Sequence, residues 1–190
     1  MTNQGNNAID ILLAESFKEL ACVRPIEKIT IREITDKAGV IRPTFYNHFQ
    51  DKYELLEWIV RTELITPMEP LLDNGMLKEA LMLSLTSMLR EKEFYTHAVK
   101  LEGQNSFAVT IKSAITREAM ERLNKSKAEQ LLPKKWLTPE RVADYFAESL
   151  SYAIIEWVKD DMQVPLNELV DIIIYVANHS LGDIIANLYR

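Results

Sequence analysis

Cysteine, glycine and unbroken apolar sequence are what this chain has least of. Its single cysteine, Cys22, allows no internal disulfide, excludes a disulfide-stapled scaffold and fits a reducing cytoplasm. Glycine occurs 5 times in 190 residues, which excludes a collagen-like repeat. No apolar run approaches the ~18 residues of a membrane span, so no membrane partner is expected. The three histidines and Cys22 lie far apart, without Cys-x-x-Cys or His-x-x-x-His spacing, so neither a metal nor another cofactor is expected. A glycine-rich phosphate loop and a Gly-x-Ser-x-Gly elbow are also missing, and no catalytic constellation stands in their place, so the chain does not read as an enzyme. The start, Met1-Thr2-Asn3-Gln4-Gly5-Asn6-Asn7, is polar and uncharged, unlike a signal peptide. Basic residues are outnumbered too: 22 Lys and Arg against 28 Asp and Glu give a formal charge of −6. Read as a sum, that charge speaks against a nucleic-acid partner.

What is present is helical pattern. Apolar residues make up 47% of the chain, enough for a sizeable core and too many for a disordered one. They recur at three and four, and no segment alternates with period two, so the expected class is all-α. Ile9, Leu12, Leu13, Phe17, Leu20 and Ala21 share a face of a first helix that ends near Arg24-Pro25. Thr30 and Glu33 have capping-box spacing for a short second helix ending at Ala38-Gly39. A third spans about Arg42–His48, with Pro43 in its first turn. Asp51 caps a fourth, which runs to Ile65 and is stopped by Pro67 and Pro70. Longer helices are expected over about Asn74–Glu91, Phe94–Lys100, Asn105–Lys127, Thr138–Lys159 and Pro165–Leu188, with a break at Leu132-Pro133. The expected division is 1–50, a connecting helix 51–66, and a helical body 67–190.

The informative stretch is Thr30 to Phe49. Gly39 supplies the positive φ of a tight turn between two short helices. Ile34, Ala38, Val40, Phe45 and Phe49 are spaced to face inward, leaving Arg42, Thr44, Tyr46, Asn47 and His48 outward. This is the layout of a helix-turn-helix, whose second helix enters the DNA major groove. Arg42 suits a guanine edge, Asn47 an adenine, and Thr44 a thymine methyl. Tyr46, His48 and Lys52 suit phosphates, as do the hydroxyl and amide of Thr30 at a helix start.

These residues resemble the TetR family of transcriptional regulators. The resemblance rests on Ile29-Thr30-Ile31-Arg32-Glu33-Ile34, Ala38-Gly39-Val40, Thr44-Phe45-Tyr46-Asn47-His48-Phe49 and Asp51-Lys52-Tyr53-Glu54-Leu55-Leu56, within about residues 8–65. It implies a three-helix DNA-binding head, a fourth helix leading into an all-helical ligand-binding body, and a homodimer on an operator. Thr44, Tyr46, His48 and Lys52 match the family's DNA-contact positions, and Pro43 lies among them. Ile41 departs from the pattern, because the family has Ser or Thr there, and isoleucine can neither cap the third helix nor touch a phosphate. The resemblance also implies control by a small-molecule effector or a partner protein, with repression relieved by ligand as the default. The compact body and Arg42–Phe49 are similar to a branch that includes activators of dihydroxyacetone kinase operons.

Counting charge by region resolves the paradox of the sum. Residues 24–52 hold six basic and four acidic residues, a balance of +2, leaving −8 for the rest. A dimer would present two such heads to successive grooves. The last two long helices are the expected dimer element, through Tyr145, Phe146, Ile154, Trp157, Ile173, Val176, Ala177, Leu181 and Ile184. Tyr95, His97, Gln104, Asn105, Phe107, Tyr152 and Tyr175, with Asn178 and His179 nearby, are candidates for an effector pocket. Two alternatives stay open: an activator controlled by a partner protein, and a helical small-molecule-binding module that does not bind DNA.

Overall fold

A computed structural model describes residues 3–126 and 134–188 of the chain. The expected break at Leu132-Pro133 and the helix end at Lys127 lie outside those residues, as do Met1, Thr2 and the side chain of Leu188. Among the described residues all regular structure is helical, without a strand.

Helix α1 (Asn3–Val23) ends before Arg24-Pro25, and a 3-10 turn at Ile26–Lys28 follows. Helix α2 (Ile31–Ala38) begins on a complete capping box. The Thr30 hydroxyl accepts from the Glu33 amide, and the Glu33 carboxylate accepts from the Thr30 amide at 2.8 Å. Gly39 closes α2 at φ 69°, a left-handed conformation in which an L side chain is strained. Helix α3 (Arg42–His48) starts at Ile41 without a side-chain cap. Helix α4 (Lys52–Ile59) is capped by Asp51, whose carboxylate accepts from the Tyr53 and Glu54 amides at 2.8 and 2.9 Å.

The chain then departs from its pattern. The fourth helix does not continue regularly to Ile65 but widens into a π-helical segment, Val60–Ile65. Pro67 and Pro70 do not stop it either. They occupy the first turns of a 3-10 turn at Thr66–Met68 and of α5 (Glu69–Asp73), where no amide hydrogen is required. Next come α6 (Leu77–Arg90), α7 (Lys92–Ala98), α8 (Phe107–Lys125) and α9 (Pro139–Lys159). The expected last helix is broken in two, α10 (Leu166–Asn178) and α11 (Leu181–Leu188). Ser180 and Asp183 explain the break: each side chain accepts from the other's backbone amide, a second capping box that restarts the helix.

One continuous apolar core runs from Leu13 of α1 to Val170 of α10. Helix α1 packs on α2, α3 and α4, and also on α7. Phe17 meets Phe94 edge-on at 6.2 Å, and Tyr95 and Phe107 extend the aromatic row. Complete burial of a side chain such as Phe17 contributes about 1.5–3 kcal/mol. Leu12 does not join the inward face of α1; it is half exposed, one residue out of step with Leu13. Helix α9 packs on α8, and α10 on α6. No described helix is long and apolar enough to cross a membrane.

Candidate nucleic-acid interface

Helices α2 and α3 meet through Ile34, Phe45 and Phe49, all buried, with Ala38 and Val40 partly so. Phe49 also meets Trp58 of α4 edge-on at 6.1 Å, which ties α3 to the connecting helix. With Phe45 and Phe49 held inward, the helical period turns Arg42, Pro43, Tyr46 and Asn47 to solvent. Thr44 is half-buried. Arg42 donates to the Tyr46 hydroxyl at 3.2 Å, one turn away, and its guanidinium lies 5.9 Å from the ring centroid. Guanidinium and phenol thus form one polar edge of a short helix, and the exposed Asn47 stands next to it in the chain. Such an edge can reach base edges and phosphates in a major groove.

Two residues expected outward have other partners. His48 is only 10% exposed at its side chain, and its Nδ1 lies 2.7 Å from Asp10 of α1. It stands at the last position of α3, where the period brings it back against α1. Lys52 donates all three ammonium protons to the carbonyls of Ile26, Glu27 and Ile29, each at 2.8 Å. That cradle draws the lysine out of water, and burial lowers its pKa. Both residues fix the approach of neighbouring segments to α3 in this conformation, instead of standing free for a phosphate.

The charge around the edge is largely paired. Arg24 meets Glu33 at 2.8 Å, Lys37 meets Glu19 at 2.5 Å, and Arg32 meets Asp36 at 3.5 Å. Glu33 is held at about 2 by the Thr30 amide, the Thr30 hydroxyl and Arg24, so the capping box stays ionised. Arg42 and Lys28 make none of the ion pairs found among the described residues.

The expected effector residues do not converge. Tyr95 and Phe107 are fully buried in the aromatic row, while Tyr152 and Tyr175 are exposed, Tyr175 stacked on His179 at 4.1 Å. Gln104 and Asn105 lie exposed in the loop before α8, and Asn178 is exposed at the end of α10. His97 borders a cleft of about 460 Å³ between Val23-Arg24-Pro25, Glu27 and Lys100. A larger cleft of about 740 Å³ lies between Thr96–Gly103 and the end of α9, lined by Ile155, Val158 and Lys159. Its lining includes Lys100, Leu101, Glu102 and Gly103, the polar helix break before α8.

The expected dimer residues divide in two. Tyr145, Phe146, Val176, Ala177 and Leu181 are exposed, as are Tyr152, Ile172, Tyr175 and Ile185. Ile173 and Ile184 are half-buried. Ile154 and Trp157 belong to the interior: both are buried, and the Trp157 indole donates to the Val164 carbonyl at 2.9 Å. The face of α9 carrying them is the one that packs inward, a half-turn from Tyr145 and Tyr152.

No sequence pattern marks Asp10 or the ionic cluster centred on the buried Lys18. Partners 45 and 73 residues away hold that lysine, a separation without sequence pattern.

Two family models match the chain. One described as "Bacterial regulatory proteins, tetR family" covers residues 18–59, and one described as "Transcriptional regulator C-terminal region" covers residues 76–179. The HTH-type dhaKLM operon transcriptional activator DhaS of Lactococcus lactis subsp. lactis (strain IL1403) is 36% identical over 52 residues. That alignment spans 27% of this chain and 28% of the relative. The solved structure of a dihydroxyacetone kinase operon activator, DhaS, superposes with a TM-score of 0.61. The match covers 88% of this chain and 93% of that one at 20% identity, a likeness of fold.

Proposed function

Because the chain belongs to the TetR family of DNA-binding transcriptional regulators, we propose that it acts as a repressor on a near-palindromic operator, as a homodimer released by an effector. The observation that carries this reading is the polar edge of α3. Arg42, Tyr46 and Asn47 project together from a short helix whose position is set by Gly39, Phe45 and Phe49. Residues 1–50 are the DNA-binding head, 51–66 the connecting helix, and 67–190 the regulatory and dimer-forming body. Within the head, Arg42 and Asn47 read bases, Thr44 and Pro43 approach the groove wall, and Tyr46 reaches a phosphate, while the Thr30 amide and hydroxyl donate to Glu33 in the capping box. His48 and Lys52 support α3 through Asp10 and the 26–29 carbonyls.

The exposed apolar residues of α9, α10 and α11 support a dimer. Tyr145 is 72% and Tyr152 68% exposed on α9, and Val176, Leu181 and Ile185 are large apolar residues exposed on α10 and α11. The effector displaces the heads by binding the DNA-incompetent state more tightly, typically by ~1–3 kcal/mol. The open cleft between Arg24, His97 and Lys100 lies where head and body meet and is the preferred place for it. A second reading, activation under control of a partner protein, draws on the activator named DhaS.

Selection from a pool of random duplexes tests the DNA reading. Inverted repeats are expected, with Arg42→Ala losing about 1–3 kcal/mol on the selected sequence. A chain that enriches no sequence at low salt refutes it. A reporter gene behind the selected operator then separates repression from activation.

A further inference from the structure

Lys18 lies on the buried side of α1 with its side chain 6% exposed. Its ammonium donates to Glu63 and Glu91, each at 2.8 Å, and lies 2.9 Å from Glu15 one turn back. One positive charge thus faces three carboxylates from three places in the fold. Glu15 shares α1, Glu63 lies within the π-helical segment that follows α4, and Glu91 forms the joint between α6 and α7. The three carboxylates come within 4.8 Å of one another, and the ammonium holds the point where they converge.

Only Lys18 is drawn out of water: the Glu15, Glu63 and Glu91 side chains stay 55%, 25% and 36% exposed, so the acids come inward only as far as the ammonium requires. The compensation is incomplete: Glu91 Oε2 and the Tyr95 hydroxyl are buried without a partner. The carboxylates exceed the ammonium, and burial together with the other two acids pushes Glu63 up. The π segment carrying Glu63 is itself a rare, weakly bonded form of helix that recurs at functional positions. Beside it, Phe17 of α1 and Phe94 of α7 join head and body by an edge contact. Lys18 therefore sits where head, connecting helix and body meet, and its ammonium bridges acids from all three.

We propose that Lys18 is a positioning residue for DNA recognition: its bonds to Glu63 and Glu91 set the angle between head and body. Loosening the Glu91 leg frees the π segment and lets the head swing, so events at the α6–α7 joint reach α3 through α1 and α4. This inference rests on the DNA-binding function proposed above.

Two readouts on full-length Glu91→Gln test it, with Glu156→Gln as a control that alters only an exposed pair with Lys159. Glutamine keeps the size and an acceptor oxygen but removes the charge. The first readout is affinity for the duplex selected by the wild type, expected to change tenfold or more while the far-ultraviolet circular dichroism spectrum is unchanged. The second needs no DNA. With 5-fluorotryptophan incorporated, the Trp58 resonance reports the α3–α4 packing through its contact with Phe49. It is expected to move in Glu91→Gln and to stay fixed in Glu156→Gln. Should Glu91→Gln not fold, Glu63→Gln serves in both readouts. An affinity change of less than tenfold, or an unmoved Trp58 resonance, overturns the proposal. If the wild type selects no duplex, the DNA-binding function falls instead, and the Trp58 resonance still decides whether the ring ties head to body.

Discussion

Removing the hydroxyl of Tyr95 should make the protein more stable. The side chain is 1% exposed, and its ring meets Phe94 at 5.0 Å and Phe107 at 5.6 Å. The hydroxyl has no hydrogen-bond partner. Leaving such a group buried and unpaired costs about 1–3 kcal/mol. Tyr95→Phe keeps both ring contacts and gives up only one oxygen's volume, so a net gain of about 1 kcal/mol is expected. For a chain of this length that raises Tm by roughly 2–4 °C, measured by circular dichroism at fixed protomer concentration. Tyr95→Leu, which loses two aromatic contacts worth about 0.5–1.5 kcal/mol each, should move Tm the other way. Burial, reinforced by Glu63 and Glu91, also pushes the Tyr95 phenol well above its usual range. The folded chain then keeps this proton where the unfolded chain releases it. Stability falls as pH rises past ~10, and Tyr95→Phe should flatten that alkaline decline. A Tm lowered by roughly 2 °C or more in Tyr95→Phe would mean that the hydroxyl is satisfied in solution, for example by a buried water, and that no unpaired group is stored there.

Other expectations follow from the same geometry. Lys52→Met strips donors from three carbonyls and should destabilise the fold by about 1–3 kcal/mol in urea titration. The salt dependence of DNA binding should be unchanged, whereas a slope reduced by about 1 would restore a phosphate contact to Lys52. In Thr30→Val the Glu33 carboxyl, held at about 2, should rise toward its ordinary value as the hydroxyl bond is lost, read by NMR titration. Glu33 is depressed in the fold, so its contribution is full above ~4.5 and disappears as pH falls toward about 2. Tyr152→Glu, on the exposed face of α9, should weaken self-association in sedimentation velocity without changing helicity; an unchanged oligomeric state would place the dimer seam elsewhere.

Chain-local chemistry is legible in the sequence by itself. Helix period, the Thr30–Glu33 box, the left-handed turn at Gly39 and the Asp51 cap each depend on residues within a few positions of one another, and all stand where the pattern puts them. The restart at Ser180–Asp183 is equally local and is hidden only by the apolar stripe that runs through it. Periodicity says which residues share a face, but not what covers that face. Trp157 and Ile154 therefore read as seam residues in the sequence, whereas the packing of α9 turns them inward. His48 meets Asp10, Lys52 meets three carbonyls, and Lys18 gathers acids from the connecting helix and the α6–α7 joint. Such partners lie 23 to 73 residues apart. Only packing brings them within reach, because a charge drawn out of water must take whatever donors or acceptors the fold carries to it.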